Sequence, residues 1–128
     1  MKALLDTHAA LFAWLAPERL SEAAREVMED PGNGLLISQV SILEITLKYR
    51  IGKLDLPEPP ADYLPSRIQR LGLEYVALED ADIYGLTSLP EAHRDPFDWL
   101  LVATARRLGI PLLSGDAAMR AYPVEVIW

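Results

Sequence analysis

The chain has no cysteine in its 128 residues. That excludes disulfides, thiolate zinc centres and a cysteine nucleophile, and it fits a reducing cytosol. Histidine is almost as scarce: His8 and His93 are the only two. No Gly-x-Ser-x-Gly elbow accompanies them, which disfavours serine-type hydrolysis. Gly32-Asn33-Gly34 lacks the lysine and the following helix that a phosphate-cradling P-loop needs. No apolar run approaches the ~20 residues of a membrane span. Met1 to Leu5 resembles the start of a signal peptide, but Asp6 and His8 break it. Positive charge is in deficit, with 12 Lys and Arg against 19 Asp and Glu and a formal net charge of −7. For a nucleic-acid binder that is the wrong overall sign. The cations are nevertheless grouped, as Lys48, Arg50 and Lys53, as Arg67 and Arg70, and as Arg106 and Arg107.

What the chain does have is apolar residues, 51% of the total, enough for a real core. The length suggests one domain over residues 1–128. Lys2 to Leu5 reads as a short buried strand, followed by a helix over 7–15 that Pro17 stops. Ser21 caps a helix over 22–30, and Pro31 to Gly34 is a turn. Leu35 to Ile37 is a second strand. Val40, Leu43, Leu47 and Ile51 recur at helical spacing until Gly52. Pro57 to Pro60 is a stiff connector. A helix over 61–71, a strand over 74–77 and a helix over 79–88 follow. Pro96 opens the next helix and Gly109 closes it. Residues 112–113 and 124–127 are the last strands. Strands alternating with helices predict an α/β domain with a largely parallel sheet, whose ligands bind beyond the carboxyl ends of the strands.

Four carboxylates sit where these elements meet: Asp6, Glu44, Asp98 and Asp116. Each has an ordinary explanation. Asp6 or Thr7 can cap the first helix. Glu44 can pair with Lys48 one turn on, for about 0.3–0.5 kcal/mol. Asp95 is a natural cap before Pro96, with Asp98 in the first turn favoured by the helix dipole. Asp116 can cap whatever follows it. Two features favour a joint role. Asp98 shares a face with Leu101, Val102 and Ala105, and Glu44 lies beside Val40 and Leu47, so both point to the core side, where a carboxylate needs a partner or a cavity. Convergent acids also repel, by ~4 kcal/mol per pair at 4 Å and a dielectric of ~20. A divalent cation removes that repulsion, and oxygen ligands favour Mg²⁺ or Mn²⁺ over zinc. A phospho-acceptor receiver would want paired acids after the first strand and a late lysine. Asp6 stands alone there, and no lysine follows Lys53.

The sequence resembles the PIN-domain ribonucleases of the VapC toxin type over residues 3–128. The resemblance rests on Leu4-Leu5-Asp6-Thr7-His8, Ile37-Ser38, Glu44-Ile45 with Lys48, and Gly52-Lys53-Leu54. It continues through His93-Arg94-Asp95-Pro96-Phe97-Asp98, Gly109 to Asp116, and Val124-Glu125-Val126-Ile127-Trp128. It implies a three-layer α/β/α PIN-like domain around a mainly parallel sheet of about five strands. It also implies a cytoplasmic, metal-dependent endoribonuclease, the toxin half of a type II toxin–antitoxin pair, leaving 5′-phosphate and 3′-hydroxyl ends. Asp6, Glu44, Asp98 and Asp116 correspond to the acids that hold one or two Mg²⁺ or Mn²⁺ ions. Asp95 is either an outer partner of that set or the helix cap. The hydroxyls of Thr7, Ser38 and Ser114 are placed to orient carboxylates or water, and His93, Arg94 and Lys48 to hold the RNA backbone. Expected partners are RNA, a VapB-type antitoxin with a basic tail and a second copy of the chain. One departure stands out. Trp99 occupies a position where relatives commonly carry arginine, which leaves room for a catalytically weak binding module. A solitary RNA-processing nuclease is the other alternative.

Overall fold

The computed structural model describes residues 1–91 and 95–128. Five strands form one sheet: β1 (Lys2–Leu5), β2 (Gly34–Ser38), β3 (Glu74–Val76), β4 (Leu112–Leu113) and β5 (Val126–Ile127). Their order is β3-β2-β1-β4-β5 and every pairing is parallel. Among the described residues six α-helices accompany them: α1 (Thr7–Leu15), α2 (Glu22–Glu29), α3 (Gln39–Arg50), α4 (Pro60–Arg70), α5 (Asp80–Tyr84) and α6 (Pro96–Leu108).

Side-chain alternation along the strands builds the three layers. Ala3, Leu5, Leu35, Ile37 and Leu113 face one side, against Ala9 and Ala10 of α1 and Ala24 of α2. Leu4, Leu36 and Leu112 face the other, against Val40 of α3 and Leu101, Val102 and Ala105 of α6. Leu11, Ile45 and Leu64 tie α1, α3 and α4 together in a third cluster. The local stops are those the sequence predicts. The Ser21 hydroxyl accepts from Ala24 N at 3.0 Å and caps α2. Asp95 accepts from Phe97 N at 2.9 Å and caps α6, and Gly109 closes that helix at φ +66°, where a side chain would be strained.

Three expectations change. The helix expected over 79–88 is five α-helical residues followed by a 3-10 turn, Gly85–Ser88. The last strand is shorter than 124–127, because only Val126 and Ile127 pair with β4. On α3 the apolar spacing misleads. Leu43, Leu47 and Ile51 are 48%, 41% and 61% exposed, whereas Ser41 and Glu44 are buried.

Candidate functional site

The strand order reverses between β1 and β4. From β1 the chain steps outward through β2 to β3, then returns to lay β4 on the other side of β1. Ligands of open parallel sheets collect at the carboxyl ends beside such a reversal. The register puts polar residues there. Leu5 pairs with Leu113 and Leu4 with Leu36, so Ser38, Asp6 and Ser114 fall in one row just past the three central strands. Asp6, Ser38 and Ser114 are 3%, 0% and 1% exposed.

Each of these residues has a backbone task. Asp6 caps α1, its Oδ1 accepting from Ala9 N at 2.6 Å. Ser38 caps α3, its hydroxyl accepting from Val40 N at 3.0 Å. The Ser114 hydroxyl accepts from Asp116 N at 3.1 Å. Asp116, itself exposed, caps the 3-10 helix Ala117–Ala121 through Ala118 N at 2.9 Å. Thr7 donates to the Ser41 hydroxyl at 2.9 Å, joining the start of α1 to α3. The capping explanations therefore hold for Asp6, Asp95 and Asp116. They do not account for the burial of Asp6 and Glu44.

Glu44 is 1% exposed on α3. One carboxylate oxygen pairs with the Lys48 ammonium. The other, Oε1, is buried and accepts no hydrogen bond from the described residues. Leaving such an acceptor without a donor costs about 1–3 kcal/mol, and more when it is charged. Asp6 feels Glu44 across the site. Burial pushes the Asp6 carboxyl above its ordinary range, and the negative charge of Glu44 pushes the same way. The nearby Ser114 hydroxyl, the Ala9 N–H and His8 oppose the rise.

The four acids are not all drawn together. Among the described residues, no three of the Asp, Glu and His side chains stand close enough to hold one metal ion. Asp6 and Glu44 stand close enough for each to feel the other's charge. Asp98 is half-buried in the first turn of α6, on the face whose Leu101, Val102 and Ala105 are fully buried. Within the pair, an all-oxygen donor set with a buried, unpartnered carboxylate oxygen suits a hard divalent cation. His93 and Arg94 lie outside the described residues. Trp99 packs against the Leu4, Leu36 and Leu101 core.

Two features escape a reading by motif. Trp128 lies on Gly115, between Ser114 and Asp116: a Cβ on that glycine would stand 2.7 Å from Trp128 Cε2. Arg107 is held by the fully buried Asp82, Nε to Oδ1 at 2.6 Å, and by Glu79 at 3.2 Å. It is therefore not available as a surface cation. No spacing rule links residues 25 apart.

Two cavities adjoin α3. One of about 430 Å³ lies between α1 and α3 and reaches Thr7, Glu44 and Lys48. The other, about 630 Å³, lies between α3 and α4, is almost wholly apolar and touches none of the four acids.

Comparison with known proteins agrees with this architecture. The model of the PIN domain family matches residues 3–125. Ribonuclease VapC16 of Mycobacterium tuberculosis is 39% identical over 67 residues, a match covering 52% of this chain and 47% of that protein. The chain thus matches about half the length of that relative. VapBC2 from Rickettsia felis, solved with a promoter DNA fragment, superposes with a TM-score of 0.75 at 16% identity, covering 98% of this chain and 97% of that one. FitAcB from Neisseria gonorrhoeae superposes with a TM-score of 0.61 at 18% identity, covering 97% and 95%.

Proposed function

Because the chain belongs to the PIN domain family, we propose that residues 1–128 form a single PIN domain acting as a metal-dependent endoribonuclease, the toxin of a type II toxin–antitoxin pair. The observation that carries this reading is the buried Asp6 and Glu44 pair at the carboxyl edge, with Glu44 Oε1 unpartnered. A second support is the similarity to a ribonuclease of the VapC type.

In this reading Asp6, Glu44, Asp98 and Asp116 hold one or two Mg²⁺ or Mn²⁺ ions. A bound divalent cation would neutralise the acids and supply a water of lowered pKa for phosphodiester hydrolysis. The protein groups do the rest. Ser114 and Ala9 N–H fix the Asp6 carboxylate, and Thr7 and Ser38 fix the starts of α1 and α3 that carry Asp6 and Glu44. Lys48 holds Glu44 in place and offers its remaining donors to an RNA phosphate, with His93 and Arg94 as further contacts. Asp95 keeps Asp98 in the first turn of α6 by capping that helix.

The partner proposed for the toxin is a VapB-type antitoxin whose basic tail meets the acidic surface, with a net charge of −7 favouring that encounter. A homodimer is the proposed assembly and the cytoplasm the proposed location. Among the described residues, no helix is long and apolar enough to cross a membrane.

One observation favours a second reading, a PIN-fold binding module with weak or no catalysis: no three acids stand within reach of one metal ion among the described residues. Incubation of the purified chain with RNA under Mg²⁺ or Mn²⁺ titration, with EDTA and Glu44→Gln as controls, separates the two. The nuclease reading requires cleavage that rises with metal and disappears in both controls. RNA left intact at every metal concentration would establish the binding module instead.

A further inference from the structure

We propose that the cavity between α1 and α3 is a nucleotide subsite, which takes one unpaired RNA nucleotide beside the bond to be cut. The base lies against His8 and Phe12, and a phosphate lies against Arg19 and Lys53. This rests on the RNA-cleaving reading and adds to it the place and form of the bound substrate.

Charge is the first argument. A chain of net charge −7 sets Arg19, Lys48 and Lys53 around one cavity in which Glu44 is the sole acid among the described residues. Lys48 is matched by Glu44. Arg19 and Lys53 have no ion pair among the described residues, so the cavity keeps an excess of positive charge. An anionic group is the ligand that such a mouth attracts.

The aromatic wall is the second. His8 and Phe12 stand one helical turn apart on α1, with ring centroids 6.2 Å apart. Phe12 stands 6.2 Å from Trp128 in turn. The Arg19 guanidinium sits 4.3 Å from the Phe12 centroid, which fixes a flexible cation in place. His8 is exposed, so its ring is an open face for a base. A cationic groove interleaved with aromatic rings is how single strands are held without a sequence code. The volume of about 430 Å³ lies within the ~300–1,000 Å³ of small-molecule sites. Because the same cavity reaches Thr7 and Glu44, a nucleotide in it adjoins the proposed cleavage position.

The test is fluorescence anisotropy of a labelled single-stranded 12-nucleotide RNA in EDTA, where nothing is cut. The parent is compared with Lys53→Glu, Arg19→Glu and His8→Ala. Arg70→Glu, at the last residue of α4 and outside the cavity lining, is the control. Circular dichroism checks that each is folded. Each charge reversal weakens binding by about tenfold and lowers the salt slope by about one. His8→Ala weakens it by about tenfold, and Arg70→Glu leaves it unchanged. A duplex of the same sequence binds more weakly than the single strand. Equal RNA affinity in all four variants would overturn the subsite, even if the parent cleaves RNA in Mg²⁺. So would loss of affinity for a polyglutamate peptide in Lys53→Glu with RNA affinity unmoved. If the variants lose RNA affinity while the parent cleaves nothing, the subsite stands and the nuclease reading falls.

Discussion

Glu44 gives one carboxylate oxygen to Lys48 and keeps the other buried with no hydrogen-bond partner among the described residues. A half-satisfied buried charge is expensive, and one counter-charge from the neighbouring turn does not saturate it. The arrangement makes Glu44 receptive to a cation on its open side. It also makes Lys48 a guard that supplies the acid with its counter-charge.

Lys48→Met removes that guard. Breaking a wholly buried pair costs ~3–5 kcal/mol. With the Lys48 side chain 33% exposed, water screens part of the effect, so a loss of about 1–2 kcal/mol is expected. Thermal unfolding in EDTA should show it as a lower Tm. Millimolar Mg²⁺ should then raise the Tm of Lys48→Met by more than that of the parent, because the ion takes the place of the lysine. Equal Mg²⁺ shifts in the two proteins would argue against Glu44 as a ligand.

Asp6 predicts a trade between activity and stability. Its folded pKa is raised, chiefly by burial. The native state therefore holds the proton more tightly than the unfolded chain. Stability is lost as pH rises from the ordinary carboxylate value of 3.8 through the raised one. Asparagine caps helices as well as aspartate does, so Asp6→Asn should keep the bond from Ala9 N–H. Without metal it should melt higher than the parent at pH 7, by a margin that shrinks toward pH 4. RNA cleavage should fall at least about a hundredfold, or ~2.7 kcal/mol. A variant that cuts RNA at the parent rate removes Asp6 from the mechanism.

Arg107 tests the opposite end of the molecule. It holds the fully buried Asp82 and fastens α5 to α6, nine residues and ~14 Å along the helix from Asp98. Arg107→Met strips the buried Asp82 of its counter-charge and leaves it the Glu79 N–H, and about 3 kcal/mol should be lost in urea unfolding. Replacing both residues, as Asp82→Leu with Arg107→Met, should recover most of that. RNA cleavage per folded molecule should not change in either protein. A change would mean that the ion pair reaches the carboxyl edge.

Much of this fold is legible in the residues, and the failures have physical causes. Strands and caps were readable because their signals are local: apolar runs bounded by turns, Ser21 and Asp95 before helices, Gly109 after one. Helical spacing on α3 was readable too, but period alone does not say which stripe meets the core. Leu43, Leu47 and Ile51 had the spacing of a buried face and lie in solvent. Glu44 is buried as expected, yet beside Ser41 and Ile45, not Leu47. Spacing also says nothing of distance across elements. It names four acids, and burial and charge show a direct link between two of them, Asp6 and Glu44. The bond between Asp82 and Arg107 spans 25 residues and leaves no trace in any local pattern.

Gly115 owes its place to space and not to conformation, since its φ is not among the positive values of the chain. A methyl group there would meet Trp128 Cε2 at 2.7 Å and Nε1 at 3.0 Å. An indole ring cannot bend away, so it must shift as a body. Phe12, 6.2 Å from it, would lose its neighbour, and the loop that carries Ser114 and Asp116 would lift. Overpacking of this kind costs ~1–3 kcal/mol. Gly115→Ala should therefore lower the urea midpoint and move tryptophan emission to the red. The cause is separable by a double-mutant cycle. In a Trp128→Ala background the clash is gone, and Gly115→Ala should then cost under ~0.5 kcal/mol. An equal cost in both backgrounds would show that the glycine answers to something other than the indole.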